Sequence, residues 1–354
     1  MFVVKEPERS DGNQTIGSAH PPMVGIAMAT FNPGLAYFLG QIHSLKNQTY
    51  TNWKCVVVDD CSSDKNFQVI LDVIDSDPRF EVHRNQTNQG SFKTFERALT
   101  LLPPDTTLIC YCDQDDVWIK TKLETQVREF SDPSIFLVHT DQSLIDEKSR
   151  ILAPSCWKLE GRSVLEATTD LLLFRNLITG CTAMFRREVL KTALPFCAPR
   201  AQKEMYHHDI WVAMHACLYG RVVGLTEPLV LYRQHGGNLV GVSSLRRNVK
   251  FGELAEKAHN AFNERLGLRE DFLGSFERLR SSCAEDERHW DYSEKRATEK
   301  ENLSYLDNHF SLFCKGIGFV LVHPLFFRTW IMLGVGLFKH QRTRALIKLK
   351  RLFN

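Results

Sequence analysis

The chain has ten cysteines yet no Cys-x-x-Cys pair. A zinc site needs thiolates and imidazoles grouped at ligand spacing, so a structural zinc module is excluded. Scattered thiols suit a reducing cytosol. Net charge is also scarce, at +2 over 354 residues, and no bulk attraction to nucleic acid is indicated. No internal repeat and no signal peptide is visible. Residues 1–22 are polar and broken by Pro7, Gly12, Pro21 and Pro22, which reads as a flexible N-terminal tail. Acidic residues are missing from His309 to Asn354, where Lys315, Arg328, Lys339, Arg342 and Arg344 are among the cations that remain.

What is present is the composition of a packed protein, 43% hydrophobic and 24% charged. Short apolar runs alternate with helical patterns. Val24 to Thr30 reads as a buried strand ending at the turn Asn32-Pro33-Gly34. Leu35 to Gln48 reads as a helix, Cys55 to Val58 as a strand and Asn66 to Ile74 as a helix. Phe80 to His83 is a weaker strand, Phe92 to Leu102 a helix and Leu108 to Cys112 a strand. The middle, to about Arg187, mixes strands and turns. Tyr206 to Tyr219 returns to a helix, and Pro228 to Arg233 is a short strand. Strands alternating with helices predict an α/β fold, a Rossmann-like mostly parallel sheet flanked by helices. The composition shifts beyond Val249, where charged amphipathic patterns predict a C-terminal helical extension. The expected division is a tail at 1–22, a catalytic domain at 23–244 and a helical, basic region at 245–354.

In such sheets ligands sit outside the carboxyl ends of the strands. Three strand ends carry polar groups there. In Cys112-Asp113-Gln114-Asp115-Asp116-Val117-Trp118, three carboxylates within four positions repel one another, and a cation offsets that repulsion. Hard oxygen ligands point to Mg2+ or Mn2+. The competing reading is a solvated acidic loop. In Val58-Asp59-Asp60-Cys61-Ser62-Ser63-Asp64, carboxylates are placed to accept hydrogen bonds from a base or ribose. Helix capping by Ser62, Ser63 or Asp64 is the other reading, and both can hold on different residues.

The ordered series resembles the inverting family 2 glycosyltransferases, with the fold called GT-A. It runs through Ala29-Thr30-Phe31-Asn32, the Asp59 and Asp113 segments, Asn88-Gln89-Gly90, His208-Asp209-Ile210-Trp211 and Leu231-Tyr232-Arg233-Gln234-His235-Gly236-Gly237-Asn238. The last two segments are most similar to bacterial rhamnosyltransferase-type members. The resemblance implies that Thr30, Asn32, Asp59, Asp60 and Asn88 bind the nucleotide, that Asp113 approaches the ribose and that Asp115, with His235, holds the metal. Asp209 matches the catalytic base, although the family's usual Glu-Asp is His208-Asp209 here. Arg233 is implied at the diphosphate, and Gly180, in Thr179-Gly180-Cys181, near the sugar. The implied activity is transfer of a sugar from a nucleotide-diphosphate donor, dTDP-rhamnose first and a UDP-hexose second, to a glycan or lipid-linked glycan hydroxyl, as in bacterial surface polysaccharide synthesis.

A catalytically silent nucleotide-sugar-binding or scaffold module is the alternative from another class. A sugar-nucleotide pyrophosphorylase would need a basic, Gly-rich loop after the first strand, and Ala29 to Gly34 lacks it. A processive synthase would carry Gln-x-x-Arg-Trp, which does not occur. Residues 316–338 are apolar except for His323, Pro324 and Arg328. These interruptions and the basic tail favour a segment lying at an anionic membrane surface over a span. The expected location is cytoplasmic, peripheral at the inner face of the membrane.

Overall fold

A computed structural model describes residues 21–160, 162, 166–168, 172, 177–196 and 207–235. The expected helical region 245–354 and the apolar stretch 316–338 lie outside the described residues, as does most of the N-terminal tail. Elements follow in the order β1 (Val24–Thr30), α1 (Leu35–Lys46), β2 (Trp53–Asp59), α2 (Asp64–Ile74), β3 (Phe80–Arg84), α3 (Ser91–Leu101) and β4 (Leu108–Cys112). Then come β5 (Val117–Trp118), α4 (Lys122–Glu129), β6 (Ile135–Ile145), β7 (Ile151–Ala153), α5 (Cys156–Glu160), β8 (Glu166–Ala167) and β9 (Ala183–Arg186). Last are α6 (Leu190–Ala193), α7 (His208–Tyr219) and β10 (Arg221–Arg233).

The strands form one sheet with the order β3-β2-β1-β4-β9-β6-β10-β5, to which β7 and β8 add at β6 and β10. β1 pairs in parallel with β2 and β4, and β2 with β3. This half is the expected parallel sheet. The other half is mixed, because β9 runs antiparallel between β4 and β6 while β6 and β10 are parallel. The carboxyl ends of β2, β1 and β4 are therefore neighbours. That adjacency brings Asp59, Thr30 and Asp113 to one edge.

Alternation along the central strands builds two cores. Val56, Val58, Ile109 and Tyr111 face one side with α3 and α7, while Cys55, Val57, Cys110 and Cys112 face the other with α1. Strand β10 is longer than its apolar run suggests, and its pairing with β6 shifts register on both sides of Pro228. Proline has no N–H for the ladder, so an irregularity there is expected. Helix α4 packs Leu123 and Val127 into the core and also buries Lys122 and Gln126. The Lys122 ammonium lies 3.8 Å from the centre of the Trp118 ring and donates to Gln126 Oε1 at 2.9 Å. Burial lowers its pKa.

Candidate active site

The first half of the site is a closed network. Asp59, the last residue of β2, is fully buried. It accepts from Thr30 Oγ1 at 3.3 Å, from Ser62 N at 2.9 Å and from the Ser62 hydroxyl, with Arg84 Nε 3.5 Å away. Asp60 accepts from Asn85 Nδ2 at 2.7 Å, Gln89 N at 2.8 Å and Gly90 N at 2.8 Å. The last of these needs the φ of +80° at Gly90, a conformation glycine adopts without a Cβ clash. Asn88 Nδ2 donates to the Asp60 carbonyl at 3.2 Å. Asn32, at φ +42°, accepts from Ser63 N at 3.1 Å and Asn66 Nδ2 at 2.9 Å. Ser63 caps α2 by accepting from Asn66 N. The structure thus gathers Thr30, Asn32, Asp59, Asp60 and Asn88 around one strand-end loop, held mostly by one another.

Two further residues shape this mouth, and no local pattern in the sequence pairs them. Gln114 binds the main chain of Phe31 twice, accepting from its N–H at 2.8 Å and donating to its carbonyl at 3.2 Å. That side chain ties the end of β1 to the loop after β4. The Phe31 ring is left 48% exposed at the rim. An exposed aromatic ring next to a polar strand-end pocket offers a flat face to a planar ligand. The available signal was an aromatic residue between Thr30 and Asn32, where a buried strand would not place one beside a turn.

The second half is acidic and under-satisfied. Asp113, Asp116 and Cys181 bring their donor atoms within 4.8 Å of one another. Asp113 is raised to about 7, first by burial and then by the charges of Asp115 and Asp209. Asp116 is raised well above the ordinary carboxylate range by burial, Asp115 and Asp113, and its Oδ2 has no partner. Burial and the charges of Asp116 and Asp113 raise the Cys181 thiol. Asp115 is half-buried, and its Oδ2 meets His235 Nε2 at 2.8 Å. His235 in turn stacks on Tyr37, with ring centres 5.4 Å apart.

A divalent ion fits this pair. Two ligands at right angles on a Mg2+-sized ion lie about 3 Å apart, given bonds near 2.1 Å. The Asp115 to His235 hydrogen bond, at 2.8 Å, spans about that spacing, and a cation there would favour the ionised forms of the crowded carboxyls. Arg233 is 3% exposed and points inward: Nε donates to the Asp115 carbonyl at 2.8 Å, and a terminal nitrogen donates to the Asp146 carbonyl at 3.1 Å and Ser149 Oγ at 2.9 Å.

Asp209 sits in the first turn of α7, whose flanks are buried in the core by Ile210, Trp211, Ala213 and Met214. Its carboxylate accepts from Ile210 N at 2.6 Å and from Gly180 N at 3.1 Å. It is close enough to Asp113 for its charge to raise that group. Gly180 is required by packing, since a Cβ there would lie 2.7 Å from His208 Nε2. His208 is packed between Phe95 and Tyr111, and burial pushes it down to about 3. Behind this turn, Gln126 donates to the carbonyls of Thr182 at 2.8 Å and Val138 at 3.2 Å.

Carboxylates gathered at the carboxyl ends of neighbouring strands, beside a polar loop network with an exposed aromatic rim, stand where α/β sheets bind ligands. Residues 26–194 match the family model described as Glycosyl transferase family 2. These residues are similar to that family, and the chain is a glycosyltransferase. The match ends before Asp209, Arg233 and His235.

Among curated relatives, the Escherichia coli UDP-Glc:alpha-D-GlcNAc-diphosphoundecaprenol beta-1,3-glucosyltransferase WfgD is 28% identical over 196 residues, covering 54% of this chain and 69% of WfgD. An uncharacterized glycosyltransferase of Haemophilus influenzae is 28% identical, covering 48% of this chain and 64% of its own. The chain thus spans about two thirds of the length of these relatives. Solved structures that resemble it include S. aureus TarS 1-349 in complex with UDP-GlcNAc, at 19% identity and TM-score 0.48, covering 68% of this chain and 66% of that one. Mannosyltransferase PcManGT from Pyrobaculum calidifontis, in complex with GDP-Man and Mn2+, gives 16% identity and TM-score 0.48, covering 89% and 84%. Among the described residues, no helix is long and apolar enough to cross a membrane.

Proposed function

We propose that this chain is an inverting, metal-dependent glycosyltransferase that moves a sugar from a pyrimidine nucleoside diphosphate to a hydroxyl of a glycan or lipid-linked glycan. The observation that carries the reading is the convergence of Asp113, Asp115 and Asp209 at one strand-end edge, opposite the Thr30, Asn32 and Asp60 loop network. The base would lie against Phe31, and Asp113 would approach the ribose. Mg2+ or Mn2+, when bound at Asp115 and His235, supplies charge stabilisation to the leaving diphosphate.

Asp209 would take the proton of the acceptor hydroxyl as that oxygen attacks the anomeric carbon, and the bond to the diphosphate breaks on the opposite side. One displacement inverts the centre. Its hydrogen bond from Gly180 N–H orients the carboxylate. Arg233 would act on the diphosphate only by leaving its present carbonyl partners.

Two donors are in contention. The Tyr232-Arg233-Gln234-His235 segment supports dTDP-rhamnose, the first reading. The name of WfgD, which specifies UDP-Glc and a diphosphoundecaprenol-linked acceptor, supports a UDP-hexose and a polysaccharide-assembly role. The test is a donor panel with Mn2+ run on the wild-type chain and on Asp209→Asn. Turnover with one donor, falling about a hundredfold to ten-thousandfold in the variant at unchanged donor affinity, is the expected result. No turnover with any donor, despite nucleotide binding, would favour the catalytically silent binding module. Peripheral attachment to anionic membrane at the cytoplasmic face is also proposed, from the basic residues beyond His309. A full chain that fails to float with anionic liposomes would remove it.

A further inference from the structure

The antiparallel pairing of β5 with β10 joins Val117 to Leu231 and Trp118 to Val230, and Ile119 N donates to the Leu229 carbonyl at 3.0 Å. Continued by the same register, this ladder would set Asp115 opposite Arg233, with Arg233 N–H aimed at the Asp115 carbonyl. The structure does something else. Arg233 N–H donates to Asp116 Oδ1 at 2.9 Å, and the Asp115 carbonyl takes Arg233 Nε at 2.8 Å instead. One main-chain rung has been exchanged for a pair of side-chain bonds, one from each strand.

That exchange is costly if its only purpose is to join two strands. An ordinary rung would do so without burying a carboxyl and a guanidinium, and Asp116 is fully buried while Arg233 is 3% exposed. What the exchange gives is distance. Residue 115 is held away from β10 by the reach of a guanidinium rather than by a main-chain rung. Its carboxylate then meets the side chain two residues beyond Arg233, at the 2.8 Å contact with His235 Nε2. Tyr37 closes the other side, with the Arg233 guanidinium carbon 4.6 Å from its ring centre and His235 stacked on it.

We propose that Asp116 is a positioning residue of the cation site: its buried carboxyl takes the main-chain N–H of Arg233 and so fixes the strand end that carries His235 to Asp115. The proposal rests on the reading that Asp115 and His235 hold the divalent ion. Asp116 itself contributes no bond to that ion. Removing such a supporting hydrogen bond typically lowers metal affinity about tenfold to a hundredfold.

The experiment is Mn2+ binding to the full chain by electron paramagnetic resonance, with saturating UDP or dTDP, whichever the wild type binds more tightly. Melting temperature and metal-free nucleotide binding are measured alongside. Asp116→Leu removes the acceptor with a similarly branched side chain and should weaken Mn2+ binding about tenfold or more, with metal-free nucleotide affinity unchanged. Asp116→Asn keeps an oxygen at the same place and should stay within about threefold of wild type.

Arg233→Met keeps the main-chain N–H but removes the returning bond, and serves as the second probe where Asp116→Leu does not fold. It too should weaken Mn2+, and the double variant should be no weaker than the worse single one. If Asp116→Asn loses Mn2+ as fully as Asp116→Leu, the carboxylate is itself a ligand, with Asp113 and Cys181, and the proposal is overturned. Wild-type affinity in the Asp116→Leu or Arg233→Met chain, with Asp115→Asn losing the ion, overturns it while leaving the cation reading intact. A wild-type chain that binds no Mn2+ overturns both.

Discussion

The two halves of the site place the same residue type at the same kind of location and use it in opposite ways. Asp59 ends β2 and Asp60 follows it, and each carboxylate is filled by hydrogen bonds from its own loop network. Asp113 and Asp116 follow β4 and crowd one another, with an unpartnered oxygen on Asp116 and raised pKa values on both. A satisfied buried carboxylate stabilises the fold, and a crowded one works against it. The lesson is that an acidic strand end is not one kind of site. The β2 end is a frame that holds a loop in shape, and the β4 end holds crowded carboxyls whose ionised forms are disfavoured.

The largest effect that would test this contrast is on stability at the frame. Asp59→Ala leaves Thr30, Ser62 and Arg84 without their shared acceptor, at a position with no exposure. Breaking a buried, charge-assisted network of this kind costs about 3 kcal/mol. Urea unfolding should show that loss, whereas Asp115→Asn in metal-free buffer should lower stability little or raise it. Equal losses in the two variants would erase the distinction.

The next effect is a pH dependence confined to the crowded half. Asp113 is raised to about 7, above an unfolded value near 3.8. Between those pH values the folded chain holds a proton that the unfolded chain has lost, so metal-free stability falls as pH rises through the window. Below about pH 4 both states are protonated and the group is silent. Asp113→Asn should therefore match wild type at the acid end, gain on it steadily up to about pH 7 and keep that advantage above it. A melting temperature difference that does not change with pH would contradict the crowding.

The smallest effect is at the frame again. Cys61 sits at φ +64° between Asp60 and Ser62, with its thiol 3.5 Å from the Gln86 carbonyl. A left-handed conformation costs an L-residue about 1–2 kcal/mol, and glycine returns part of that as chain entropy. Cys61→Gly should stabilise by no more than about 1 kcal/mol and leave donor affinity unchanged. A clear loss of stability would mean that the thiol contact outweighs the strain.

Much of this was legible in the chain. The apolar runs from Val24 to Thr30 and Leu108 to Cys112 give strand ends that coincide with the observed ones, because buried parallel strands are continuous hydrophobic stretches bounded by polar turns. Helix α4 was not legible, since it has only eight residues and its buried face adds Lys122 and Gln126 to the short apolar spacing of Leu123 and Val127. Strand β5 has two residues and too little length for any pattern.

The sequence by itself determined the alternation of elements and which acidic residues stand at strand ends, because both follow from local hydrophobic pattern and turn chemistry. Only the tertiary structure decided that Asp59 and Asp60 are consumed by their own loop while Asp115 meets His235, 120 positions away. Hydrogen-bond saturation and carboxylate crowding depend on distances between segments remote in the chain. Residue order along a strand carries no measure of them.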